Sequence, residues 1–97
     1  MTTIAIDFDD TLTAAPRFWR IVIWLAKRFD IRFICVTCRR RTDENKVDLK
    51  EWMAEHKIEL TTFFTNLNSK AEYMKSQGIT VDIWIDDTPG SVVHGRS

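Results

Sequence analysis

A short apolar run that ends in acids constrains this chain more than any other feature. Ile4, Ala5 and Ile6 read as a buried strand, and Asp7 interrupts them at once, with Asp9, Asp10 and Thr11 behind it. Successive side chains on an extended backbone alternate faces, so Asp7 and Asp9 can project to one side of the strand's end. Carboxylates that close repel each other and lose hydration, a cost that a cation or a proton must offset. The competing reading is a surface turn, because Asp and Thr suit turns and helix N-caps. The rest of the chain decides between the two.

The first strand spans Ile4 to Phe8, and Pro16 sits near the start of a helix running to about Phe29. Phe18, Ile21, Val22, Leu25 and Phe29 follow the i, i+3, i+4, i+7 spacing of a packed face. Arg17, Arg20 and Lys27 mark the solvent side, with Trp24 among them, where arginine stems or a second subunit can cover the indole. Ile31 to Thr37 is rich in β-branched and aromatic residues and reads as a second strand. Arg39, Arg40 and Arg41 follow, and Thr42 or Asp43 caps a second helix to about Lys57. Leu49, Trp52, Met53 and His56 share a face of it, so His56 reads as a packed residue.

Leu60 to Phe64 makes a third strand. Asn68 or Ser69 caps a third helix that stops at Gly78. Val81 to Ile85 makes a fourth strand, again ending in acids, Asp86 and Asp87. Thr88-Pro89-Gly90 is a turn, and Ser91 to Ser97 reads as a short, loosely ordered tail. Strands alternating with helices predict βαβ units, right-handed crossovers and a parallel sheet. Ligands of such sheets bind beyond the carboxyl ends of the strands. Asp7, Asp9, Thr37, Arg39, Lys70, Asp86 and Asp87 all fall there, which turn chemistry alone does not explain.

Ninety-seven residues form one domain, residues 1–97, with room for a single core. The 14 Lys and Arg balance the 14 Asp and Glu, so global charge points to neither nucleic acid nor membrane. No apolar stretch approaches the ~20 residues that cross a bilayer, and the start lacks a secretory signal pattern. The expectation is a cytoplasmic protein without membrane contact. Cys35 and Cys38 have C-x-x-C spacing, but zinc needs four ligands and the two histidines, His56 and His94, lie far off in sequence. They straddle a strand end instead of opening a helix, so they read as reduced structural residues.

Carboxylates from two strand ends make an oxygen-rich site suited to Mg²⁺, which binds substrate phosphate beside one or two protein carboxylates. Lys70 and the Thr37 hydroxyl complement such a phosphate. An aspartate in this setting can attack phosphorus, and a second one two residues on can serve as acid and then base.

Asp7-Phe-Asp-Asp-Thr-Leu-Thr13 resembles the D-x-D-x-T signature of the haloacid dehalogenase superfamily of phosphatases and phosphotransferases. Thr37 after Phe33-Ile-Cys-Val resembles that superfamily's second motif, Lys70 at a helix start its third, and Ile83-Trp-Ile-Asp-Asp87 its fourth. The resemblance covers Ile4 to Asp87. It implies a three-layer, Rossmann-like domain whose parallel sheet has strand order 3-2-1-4. It further implies Asp7 as nucleophile and Mg²⁺ ligand, and Asp9 as general acid/base with its carbonyl on the metal. Thr11, Thr37, Cys38 and Arg39 would hold the phosphate, Lys70 would steady nucleophile and phosphate, and Asp86 and Asp87 would complete the metal site. An aspartate at position 9 favours a phosphatase over a dehalogenase.

No cap domain fits between the motifs, so the resemblance is to capless members, whose open sites suit large substrates or loosely held small ones. The fifth strand usual in the superfamily is missing, which leaves strand four at an edge and implies either pairing of two copies or a fragment. Thr37-Cys-Arg39 resembles the Thr/Ser-x-Arg of capless polynucleotide phosphatase domains and some deoxynucleotidases. The expected activity is Mg²⁺-dependent hydrolysis of a phosphomonoester through an aspartyl-phosphate on Asp7. The expected substrate is a nucleotide or a nucleic-acid terminal phosphate. A sugar phosphate is the alternative, and a non-catalytic phosphate-binding module of the same fold is the rival of another class.

Overall fold

The computed structural model describes residues 1–94. Four strands, β1 (Thr2–Ile6), β2 (Ile31–Thr37), β3 (Thr62–Phe64) and β4 (Ile83–Ile85), form one sheet in the order β3-β2-β1-β4. Every neighbouring pair is parallel, as the alternation of strands and helices predicts. The central strands alternate between two apolar layers, which is why their sequences read as nearly unbroken apolar runs. Ile4, Ile6, Phe33 and Cys35 face α1 (Pro16–Ala26) and α2 (Asp43–His56). Ala5, Ile34 and Val36 face α3 (Lys70–Ser76) through Met74. Ile6, Leu12 and Ile34 are wholly buried, each stabilising the fold by roughly 1.5–3 kcal/mol relative to an exposed side chain.

Local signals set the helix ends. The Thr42 hydroxyl accepts from Asn45 N at 3.1 Å and caps α2. Ser69 caps α3 by accepting from Glu72 N at 3.4 Å. Gly78 takes φ 73° just past α3, the left-handed turn that glycine adopts without penalty. α2 ends instead on Lys57 at φ 55°, a conformation that a residue with a Cβ adopts at a cost.

Several boundaries differ from the sequence expectation. The first strand ends at Ile6, so Phe8 lies in the following turn, and β3 and β4 are shorter than the apolar runs containing them. The regular α1 stops at Ala26 and tightens into a 3₁₀ turn over Lys27–Phe29, ended by Asp30 at φ 56°. The tail expectation also changes. Gly90–Val93 forms a short helix, α4, and the remaining residues 95–97 of that expectation lie outside the described ones.

The larger correction concerns α1. Its core-facing side is Ile23 and Ala26 with Trp19 and Val22 packed beside them. Phe18, Ile21, Leu25 and Phe29 are exposed, at 57%, 54%, 43% and 72%. Opposite Arg17 and Arg20 the helix carries an apolar arc about half its circumference wide, so more than one stripe satisfies the spacing rule. The Arg28 guanidinium lies over the Trp24 ring, 4.5 Å from its centroid, while Trp24 stays 55% exposed. On α2 the expected face holds, with Leu49 and Met53 buried and the His56 ring packed at a tilt against Trp52, 4.5 Å between centroids.

Candidate active site

The carboxyl ends of β1, β2 and β4 meet the start of α3, and the polar residues singled out by sequence gather there. β1 delivers Asp7, whose backbone N–H donates to Ile85 O at 2.9 Å, tying the strand end to β4. Asp82 pins the other end of that pairing by accepting from Thr3 N at 2.8 Å. Asp10 follows at φ 61°, a left-handed residue that turns the chain sharply after Asp9. At the end of β2, Thr37 O accepts from Thr65 N, and Cys38 O from Leu67 N at 2.7 Å. These bonds hold the loop before α3 against β2 and fix where Lys70 begins its helix.

Lys70 is 1% exposed and its ammonium donates to Asp7 Oδ1 at 2.8 Å and to Asp86 Oδ2. Asp7 and Lys70 are 63 positions apart, and a buried ammonium requires this kind of partner. Burial by itself would lower the Lys70 pKa, and the bonds to Asp7 and Asp86 outweigh it and raise it. Asp7 is pushed up to about 6, first by burial and further by the Asp86 and Asp87 carboxylates, against the opposing pull of Lys70.

Asp7, Asp86 and Asp87 each bring a carboxylate oxygen within 4.8 Å of the others. One ammonium, bonded to Asp7 and Asp86, stands against three carboxylates, and the excess negative charge in a hard-oxygen set fits Mg²⁺. Asp86 is already occupied, accepting from Lys70, from Thr88 N at 2.8 Å and from Ser91 Oγ at 3.2 Å. Asp87 accepts from no lysine, hydroxyl or backbone N–H of the described residues and is the freer ligand. The space bounded by Asp7, Asp9, Lys70, Asp86 and Asp87 is about 20 Å³, room for one water-sized particle. A far roomier cleft, about 770 Å³, lies elsewhere, between α2 and β3 along Leu49, Met53, Ile58 and Phe64.

Other expected residues take varied places. Cys38 lines the same small space, and its Sγ lies 3.8 Å from Asn68 O. Thr37 is 1% exposed, its hydroxyl accepting from Arg39 N at 3.3 Å. Thr11 is buried behind the turn; its carbonyl accepts from Trp19 Nε1, and its hydroxyl has no partner among the described residues. Arg39, expected on a phosphate, has its guanidinium engaged by Asp9, Asn45 and Asp48. Both cysteines are free and buried, and burial first among the causes pushes the Cys35 thiol up to about 12, so it is no nucleophile at neutral pH.

Two supporting groups escape sequence reading. Ser91 reaches Asp86 from α4, and its stretch reads only as a tail. Asn45 and Asp48 reach Arg39 from α2; their i, i+3 spacing puts them on one helix face, but nothing local says which way it turns. No family model, curated protein or solved structure matches the chain.

Proposed function

We propose that this chain is a Mg²⁺-dependent phosphomonoester hydrolase of the haloacid dehalogenase kind. The observation that carries the reading is the buried Lys70 ammonium held between Asp7 and Asp86, beside the open carboxylate of Asp87. A turn-forming role for the acids offers no reason to bury a lysine with them. Asp7 attacks phosphorus; the new Asp7–phosphorus bond forms as the bond to the leaving oxygen breaks, and Asp9 gives that oxygen a proton. Asp9 then takes a proton from water, which displaces phosphate from Asp7. Lys70 keeps the attacking oxygen oriented and offsets charge on the transferring group. Asp7, Asp87 and the Asp9 carbonyl would hold Mg²⁺, which when bound supplies positive charge to the phosphoryl oxygens.

Arg40 and Arg41 are exposed at the end of β2, with no acidic partner among the described residues. Two exposed arginines in the loop that follows β2 favour a substrate with further phosphates, a nucleotide or nucleic-acid end, over a sugar phosphate. The test is phosphate release from aryl phosphate, nucleoside monophosphates, sugar phosphates and 3′- or 5′-phosphorylated oligonucleotides, with Mg²⁺ or chelator. Metal-dependent release, lost in Asp7→Asn, is expected. Release that survives Asp7→Asn rejects the mechanism, and no release from a folded chain leaves the binding-module reading.

A further inference from the structure

Arg39 is built into the protein at both ends. Its N–H donates to the Thr37 hydroxyl at 3.3 Å and its carbonyl accepts from Asn66 N at 3.3 Å. Its guanidinium lies 5.2 Å from the Phe8 ring centroid and grips Asp9 with two parallel bonds, Nε to Oδ2 at 3.0 Å and Nη2 to Oδ1 at 2.7 Å. The third nitrogen, Nη1, is held at 3.4 Å by both Asn45 and Asp48 of α2. With four donor contacts made to protein groups, little of the fork is left for a substrate.

We propose that Arg39 is a positioning residue that orients the Asp9 carboxylate for the water-activating half of the reaction. This rests on the phosphatase reading above. Asp9 lies on a turn whose next residue is left-handed, so its backbone alone does not fix the side chain. A two-point fork fixes both position and plane of a carboxylate, which one hydrogen bond cannot do. A carboxylate so held is an acceptor with its remaining lone pairs in a set direction, the form that takes a proton from attacking water. In that step the water oxygen bonds to phosphorus, the phosphorus–Asp7 bond breaks with its electrons returning to Asp7, and the proton passes to Asp9.

The experiment uses a nitrophenyl phosphate, whose leaving group departs without a proton, so that only the second half needs Asp9. Wild type, Arg39→Gln, Arg39→Lys, Asp9→Asn and the Asp9→Asn/Arg39→Gln double variant are compared with Mg²⁺ under rapid mixing. For Arg39→Gln the expected result is kcat reduced ~100-fold, within the range of acid–base catalysis. kcat/KM, which reports steps through leaving-group departure, should stay within about tenfold. A burst of nitrophenol should precede slow turnover, Arg39→Lys should recover part of kcat, and the double variant should be no slower than Asp9→Asn. Equal falls in kcat and kcat/KM, a change confined to KM, or additive losses in the double variant would overturn the assignment. A wild type that releases nothing overturns the phosphatase reading and this inference with it, and is distinguished by the failure of the unmutated chain.

Discussion

Replacing Asp7 with asparagine should stabilise the metal-free protein while abolishing the phosphatase turnover proposed above. The folded chain keeps a proton on Asp7 up to a pH of about 6, against 3.8 for the free side chain, chiefly because burial disfavours the carboxylate. Between those values the folded state binds more protons than the unfolded one, so stability falls as pH rises through the window. The contribution is fully present below 3.8 and fully lost above about 6. A shift of that size corresponds to roughly 3 kcal/mol at 1.36 kcal/mol for each pKa unit. Asparagine has nearly the shape of the protonated acid and carries no charge to bury. In chelator, urea denaturation should therefore find Asp7→Asn about 2–3 kcal/mol more stable than wild type at pH 7, the gap closing as pH falls towards 4. Following the difference between the two proteins cancels the other carboxylates. Added Mg²⁺ should reverse the order, since an ion at 100 times its Kd stabilises the wild type by about 2.7 kcal/mol and finds a poorer site in the variant. A variant less stable than wild type at pH 7, or a gap independent of pH, would refute the claim that Asp7 is held at an energetic cost.

Two further outcomes follow from the same structure. Lys70→Met leaves Asp7 and Asp86 facing each other without their shared ammonium, and should cost about 3–5 kcal/mol in urea denaturation together with any phosphate release of the proposed kind. Lys57→Gly relieves the left-handed C-cap of α2 at φ 55° and should raise stability by about 0.5–1 kcal/mol with activity unchanged, read as a higher melting temperature.

Much of the architecture is legible because it is written in local patterns. The unbroken apolar runs of β1 and β2 belong to strands covered on both faces, and the run of strand, helix, strand predicts a parallel sheet. Thr42 and Ser69 cap the helices that their positions suggest. The acids at the ends of β1 and β4 mark the edge where the site lies, and the order β3-β2-β1-β4 places those two strands side by side. Where local patterns are ambiguous, the reading fails. The apolar arc of α1 is wider than one stripe, so periodicity cannot choose among its faces. Packing chooses Trp19, Val22, Ile23 and Ala26.

The sequence by itself determined the kinds of groups at the site and the sheet edge that holds them. Alternation and strand ends are short-range properties, set by residues a few positions apart. Only the tertiary structure decided how those groups pair. Lys70 binds Asp7 and Asp86, Asp86 is taken up by Thr88 and Ser91 while Asp87 meets no lysine, hydroxyl or backbone donor among the described residues, and Arg39 grips Asp9 instead of reaching outward. An arginine or a lysine satisfies any carboxylate within reach. Which one it meets depends on the register of strands and the roll of helices, which are fixed by burial across the whole core.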